Sequence, residues 1–254
     1  MIAERVGIPT PRDSSIPYVL REALLGGRLP VRYDSARNAD FLARIRRSFT
    51  RDLRILDVGS GRQPVLLPGE RPENCTYAGL DISATELDAA PSGAYDVRIV
   101  SDIATRAPDL DEKFDLIVSF QVLEHVFPLR TAIENIRTYL RPGGKFVAQL
   151  SGGFALFALA NRVVPRRFTP MLLKLTMGRN PKSVFPARYD GCWYGALEKD
   201  FFAWSQVEIT PQFTGAPYFA FFRPALVAYL AYEEWALRRR SRNLATHYLI
   251  EATR

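Results

Sequence analysis

Cysteine and histidine are scarce in this chain. The two cysteines, Cys75 and Cys192, share no metal-ligand spacing, and the two histidines, His125 and His247, stand far apart. A disulfide framework and a Cys/His zinc cluster are therefore excluded, and a reduced, cytoplasmic compartment is the expectation. Lysine is also rare, confined to positions 113, 145, 174, 182 and 199, although the formal net charge is +7. The basic surplus is thus almost all arginine, which reads as compositional bias and not as a nucleic-acid surface. A continuous apolar run is missing too. The nearest candidate, "APYFAFFRPALVAYLAY", is broken by Arg223 and two prolines, so it falls short of the ~20 residues of a spanning helix. The opening "MIAERVGIPTPRDSSIPYVL" lacks a basic segment followed by an apolar core, so a leader peptide is not expected.

What the chain does have is enough apolar material for a core. It has 254 residues, 47% hydrophobic and 24% charged, the profile of a packed globular protein. Short apolar runs alternate with helix-like segments. "LRILDV" (53–58), "TYAGLD" (76–81), "DVRIVSD" (96–102), "KFDLIVSF" (113–120) and "KFVAQL" (145–150) read as five strands. "LRTAIENIRTYL" (129–140) reads as an amphipathic helix stopped by "RPGG". A helix near 194–203, a strand at 204–210, a helix near 224–240 and a last strand at 244–252 follow. Such alternation predicts an α/β fold, a mostly parallel sheet with helices on both faces. Residues 1–50 form a helical segment before it, with Phe41, Leu42, Ile45 and Phe49 on one helix face. Residues 51–254 form the sheet domain, interrupted at about 151–195 by a helical, Pro- and Arg-punctuated insertion.

The chemistry concentrates at "ILDVGSG" (55–61). A glycine turn after a strand lets a ligand approach the backbone at the carboxyl edge of a parallel sheet. A dinucleotide turn would need a third glycine where Pro64 stands, which weakens the competing reading of a nicotinamide-dependent oxidoreductase. Asp81, about 20 residues on, can accept both ribose hydroxyls of an adenosine. Asp102 is placed for an adenine amino group with Ile103 against the ring, and Asp57 lies beside the turn. Three strand-end acids at one edge are far more specific than the glycines alone.

"ILDVGSG", "YAGLDIS", "IVSDIA", "FDLIVSFQVLEHV" and "YLRPGGKFVAQL", in this order and spacing, resemble the class I S-adenosylmethionine-dependent methyltransferases, and within them the type 11 small-molecule branch. The resemblance covers residues 50–150. It implies a Rossmann-like seven-stranded sheet with its last strand antiparallel, and S-adenosylmethionine as cofactor with S-adenosylhomocysteine as product. Carried onto this sequence, it puts Gly59 and Gly61 at the methionine part, Asp81 at the ribose, Asp102 and Ile103 at the adenine and Phe120 at the sulfonium side, with Asp57, Ser60 and Ile82 also among the cofactor-binding residues. The third small residue usual in the family's turn is Gln63 here.

A base is needed only where the acceptor holds a proton of high pKa, as an alcohol does. "SFQVLEH" lacks the Asn/Asp-Pro-Pro-aromatic motif of nucleobase N-methylation, and neither cysteine suits pyrimidine methylation. His125, with Glu124 beside it, is the candidate base; anchoring the loop after strand four is the alternative role. A quinone-pathway O-methyltransferase group is similar here but uses Glu-x-x-Glu-His to hold a divalent cation. Gln121 replaces the first Glu, so a metal is not expected. "FPARYDGCWYG" gathers Arg188, Tyr189, Trp193 and Tyr194 as acceptor contacts, with a helical lid over 151–195 and Tyr18 and Tyr33 as substitutes should the lid lie elsewhere. The expected activity is O-methylation of a sugar, glycolipid or other small-molecule hydroxyl. A non-catalytic cofactor-binding partner subunit is the other alternative. Arg-flanked apolar helices at 154–168 and 221–242 suit burial in the core or a homodimer, or peripheral contact with an anionic membrane.

Overall fold

In the computed structural model the described residues are 38–154 and 187–254, with 20, 23, 26 and 29–33 before them. By its contacts the chain divides into two compact units, one of Asn38–Gln212 with Arg242–Arg254 and one of Met1–Arg37 with Phe213–Ser241. The helical insertion expected at 151–195 falls largely on residues 155–186, which lie outside the described residues, as does Tyr18.

The larger unit holds a seven-stranded sheet. Its strands are β1 (Arg54–Val58), β2 (Thr76–Asp81), β3 (Val97–Val100), β4 (Phe114–Phe120), β5 (Leu140–Ser151), β6 (Gln206–Gln212) and β7 (His247–Thr253), in the order β3-β2-β1-β4-β5-β7-β6. β1 to β5 pair in parallel, and β7 runs antiparallel to both β5 and β6. Six strands therefore share one direction and β7 opposes them, as the resemblance implies. The helices of this unit are α1 (Ala39–Arg47), α2 (Ala84–Asp88), α3 (Leu129–Tyr139) and α4 (Tyr194–Asp200).

Successive strand residues point to opposite faces, and the packing shows what covers each. On one face Ile55, Leu116, Val118, Val147 and Leu249 pack with Phe41 and Ile45 of α1. Phe146, one residue before Val147, turns the other way and stacks 6.2 Å from the ring of Phe201, just past α4, and 5.9 Å from Trp204. Helical segments thus cover both faces. α1 is also held by charge. Glu208 of β6 and Glu251 of β7 are register partners, a like-charged pair that repels. The buried Arg44 of α1 bonds Glu208 at 2.6 Å and Thr210 at 2.7 Å and lies 3.9 Å from Glu251. The Arg44 bond holds the Glu208 carboxyl below its ordinary range.

Two boundaries differ from expectation. The "RPGG" stretch does not separate α3 from its strand; β5 starts at Leu140, and its register against β4 shifts between Phe114 and Leu116. Pro142 has no N–H for a ladder bond, so the chain bulges there instead of pairing evenly. β3 ends at Val100, so Asp102 lies in the turn beyond it.

In the smaller unit, α5 (Arg223–Arg238) packs Leu226, Tyr229 and Leu230 with Ala23 and Ala216. Its buried Glu233 accepts hydrogen bonds from the backbone N–H of Gly215 and Ala216 and from the Tyr33 hydroxyl at 2.5 Å. Tyr33 is thereby committed within this unit. No helix among the described residues is long and apolar enough to cross a membrane.

Two interactions in the larger unit fix the turn after β1. Gly79 of β2 faces the Tyr95 ring, and a Cβ there would meet ring atoms at 2.6 Å and the Ser60 Oγ at 2.8 Å. Asp57 of β1 is wholly buried; its Oδ2 accepts from the Tyr77 hydroxyl at 2.6 Å and from the Val65 N–H at 2.7 Å. Its other oxygen has no partner. Burial pushes the Asp57 carboxyl up to about 7, against the lowering effect of the Tyr77 and Val65 bonds.

Both features give stability predictions. Gly79→Ala overpacks the Tyr95 contact and should cost about 1–3 kcal/mol, read as a lower denaturant midpoint. The folded-state pKa of Asp57 lies above its unfolded value, so the folded chain holds more protons between the two. Asp57's contribution is complete below about pH 4 and is lost as pH rises through about 7. Asp57→Asn keeps an oxygen for both donors and removes the titration. Denaturation at pH 4.5 and 7.5 should show a smaller fall in stability for the variant than for the wild type.

Candidate active site

The carboxyl ends of β1, β2 and β4 and the turn after β3 open on one cleft of about 960 Å³. Two glycines shape its floor. Gly59 has φ +73 and donates to the Leu80 carbonyl at 2.7 Å. A Cβ at Gly59 would lie 2.3 Å from a Val122 methyl carbon, so any side chain would drive the β1 turn away from the β4 loop. Gly61 has φ +48, its carbonyl accepts from the Tyr95 hydroxyl at 2.9 Å, and its position faces Asp81 Oδ2.

Asp57, Gly59, Ser60, Gly61, Asp81, Ile82, Asp102, Ile103 and Phe120 all line this cleft. Asp81 and Asp102 each use one oxygen to accept a backbone N–H two residues on, from Ser83 and Ala104, both at 2.9 Å. These bonds orient the carboxyls and leave the second oxygen of each for a ligand. Ile82 is 64% exposed while Ile103 is buried, so their apolar surfaces bound the cleft differently. The Phe120 ring lies 5.1 Å from Phe41. Asn38, Phe41, Leu42 and Phe127 line the cleft as well. Sequence reading takes Phe41 and Leu42 for the core face of a helix; no local pattern tells which end of that face reaches a ligand edge. The Asp57–Tyr77 bond also escapes it, because it joins residues 20 apart across two strands.

The turn after β4 is tightly built. Gln121 is left-handed, φ +56, and its N–H donates to the Gln149 carbonyl at 2.7 Å. Its side-chain oxygen accepts from Ser151 Oγ at 2.7 Å. Glu124 and His125 form a short 3-10 turn, Leu123–His125. They go opposite ways. His125 lines the cleft, and its Nδ1 is buried without a hydrogen-bond partner. Glu124 is 3% exposed and does not line the cleft. One of its carboxyl oxygens accepts from the Ser151 N–H at 3.3 Å, and burial pushes the carboxyl up. The Glu124 carbonyl accepts from both Arg188 and Tyr189 N–H, each at 2.9 Å.

These donors do not fit the divalent-cation site of the quinone-pathway group. Gln121 offers a neutral amide whose oxygen is engaged, and Glu124 is buried away from the cleft, whereas hard cations need several converging anionic oxygens. Among the described residues no group of three acids, histidines or cysteines could hold a metal ion.

The acceptor candidates separate. Arg188 lines the cleft, with its guanidinium 5.4 Å from the Phe127 ring centre. Tyr189 does not line it; the residue is left-handed, φ +53, and buried, with its Cβ against Gly153. Trp193 and Tyr194 lie at the start of α4, also outside the cleft lining. Trp193 packs 5.1 Å from Phe154, and the Tyr194 hydroxyl accepts from Arg242. The Glu124 carbonyl turns this segment: it holds Arg188 at the cleft and sends the following aromatics into packing.

The cleft fits S-adenosylmethionine by its own features: a floor that no side chain but hydrogen tolerates at Gly59, two oriented carboxyls with a spare oxygen each, and an orphaned buried oxygen on Asp57.

Residues 31–187 match the family described as a methyltransferase domain. Over 113 residues the chain is 34% identical to the ubiquinone biosynthesis O-methyltransferase of Chelativorans sp. (strain BNC1), and 30% identical to that of Brucella ovis. Each match covers 42% of this chain, and 44% and 45% of the two relatives. The chain thus spans less than half the length of the curated relatives it matches. Two solved structures share the fold. Phosphoethanolamine N-methyltransferase 2 of Haemonchus contortus, with S-adenosylhomocysteine bound, has TM-score 0.50 at 13% identity, over 95% of this chain and 58% of that one. An exported-protein candidate from Bordetella parapertussis has TM-score 0.53 at 14% identity, over 98% and 75%. With more than half its length inside the family match, the chain belongs to the methyltransferase-domain family, among the class I S-adenosylmethionine-dependent methyltransferases.

Proposed function

We propose that the protein methylates a hydroxyl oxygen of a small molecule, using S-adenosylmethionine. The observation that carries the reading is the single cleft lined by Gly59, Asp81, Asp102 and His125. Bound S-adenosylmethionine supplies a methyl group already activated by a positively charged sulfur. The chain's own task is therefore alignment and proton removal. Gly59, Ser60 and Gly61 hold the methionine part, and Asp81 accepts from the ribose hydroxyls with Ile82 alongside. Asp102 and Ile103 hold the adenine, and Phe120 borders the sulfonium.

His125 receives the acceptor's proton as its oxygen gains the methyl group. Glu124 is a positioning residue in this scheme: buried behind His125, it fixes the strand-four turn and the backbone of residues 188 and 189. O-methylation agrees with the names of the curated relatives. The expectation of a sugar or glycolipid acceptor draws no support from those names. Membrane contact and a homodimer have no observation behind them among the described residues.

Two measurements test these roles. Asp81→Ala removes a charged acceptor, and each charge-assisted bond contributes about 1.5–3 kcal/mol. Calorimetry should show S-adenosylhomocysteine binding at least tenfold weaker; unchanged affinity would remove Asp81 from the ribose. His125→Ala should lower turnover about 100-fold while cofactor affinity stays the same. Near-normal turnover would leave His125 with a structural role.

A further inference from the structure

The cleft lining carries charges of both signs. Asp57, Asp81 and Asp102 lie on the side that the proposed function gives to the cofactor. Among the described residues the cations lining the cleft are Arg62 and Arg188. Arg62 is spent: it makes a two-pronged ion pair with Glu86, at 2.7 and 2.6 Å. Arg188 is exposed, no carboxylate among the described residues pairs with it, and its guanidinium lies 5.4 Å from the Phe127 ring centre.

The backbone of Arg188 is nevertheless held in position. The Glu124 carbonyl accepts from its N–H and from the next one. The residue after it is left-handed, and Asp190 accepts from the Leu129 N–H at 3.0 Å at the start of α3. The backbone of Arg188 therefore lies beside the peptide that precedes His125. A guanidinium offers five donors in a rigid fork that matches a carboxylate. Among the described residues Arg188 is the one cleft arginine without a carboxylate partner, which matches a monoanion in charge, and the Phe127 ring beside it offers an apolar face to a flat molecule.

Resting on the hydroxyl-methylation reading above, we infer that the acceptor carries a carboxylate, bound by Arg188 while its hydroxyl lies at His125. Arg188 is then the residue that selects anionic over neutral acceptors. The arrangement favours a short, flat acceptor, because the Glu124 carbonyl ties the backbone of Arg188 to the turn that carries His125.

The probes are 4-hydroxybenzoate and its neutral counterpart 4-hydroxybenzamide, titrated by calorimetry into the full chain saturated with S-adenosylhomocysteine. The wild type should bind the carboxylate at least tenfold more tightly than the amide. Arg188→Gln should abolish that preference by weakening the carboxylate alone, and Arg188→Lys should restore part of it. Affinity for S-adenosylhomocysteine should be equal in all three proteins. Equal binding of the two probes to the wild type, failure of the carboxylate to bind, or a preference that survives Arg188→Gln would each overturn the inference. Those outcomes leave the methyltransferase reading standing so long as S-adenosylhomocysteine binds; loss of that binding in the wild type is what would overturn the reading itself.

Discussion

The buried carboxyl of Asp57 is the contact on which the ligand edge depends. One of its oxygens joins three parts of the chain: β1, which carries it, β2 through the Tyr77 hydroxyl, and the far end of the glycine turn through Val65. A wholly buried carboxylate is costly unless its bonds compensate. Here the compensation is partial, which is why its pKa sits near 7. The turn between Gly59 and Val65 is therefore closed by a group that is itself under electrostatic load. Gly79 and Tyr95 complete the closure, since only a residue without Cβ lets the Tyr95 ring lie against the strand beneath the turn.

The turn after β4 uses the same economy. Gln121 in a left-handed conformation is a local strain held by neighbouring bonds, here from β5 at Gln149 and Ser151. That turn buries Glu124 and leaves His125 at the cleft, so adjacent residues meet different surroundings. The Glu124 carbonyl then fixes the backbone at Arg188 and Tyr189. The geometry at Arg188 and Tyr189 thus follows from backbone hydrogen bonds.

Much of this was legible in advance. The strands carry β-branched and apolar residues in short runs, and the parallel order follows from their alternation with helices. Asp57, Asp81 and Asp102 were legible because a parallel sheet presents the carboxyl ends of its strands at one edge, whatever the packing beneath. The directions of the residues proposed for the acceptor were not. Arg188, Tyr189, Trp193 and Tyr194 are close in sequence, but they belong to no regular element until α4 begins at Tyr194. No period relates their directions.

The sequence by itself determined the element order, the chirality-bound sheet and the edge at which the cleft opens, because each rests on local patterning and on a topology with few alternatives. Only the tertiary structure decided the rest. It put Phe41 and Leu42 at the cleft through the packing of α1, and it parted Glu124 from His125. It also kept Arg188 at the cleft while Tyr189 was buried. Each of these depends on long-range contacts, Arg44 to β6, Ser151 to Glu124 and Glu124 to residue 188, and such pairings leave no periodic trace along a chain.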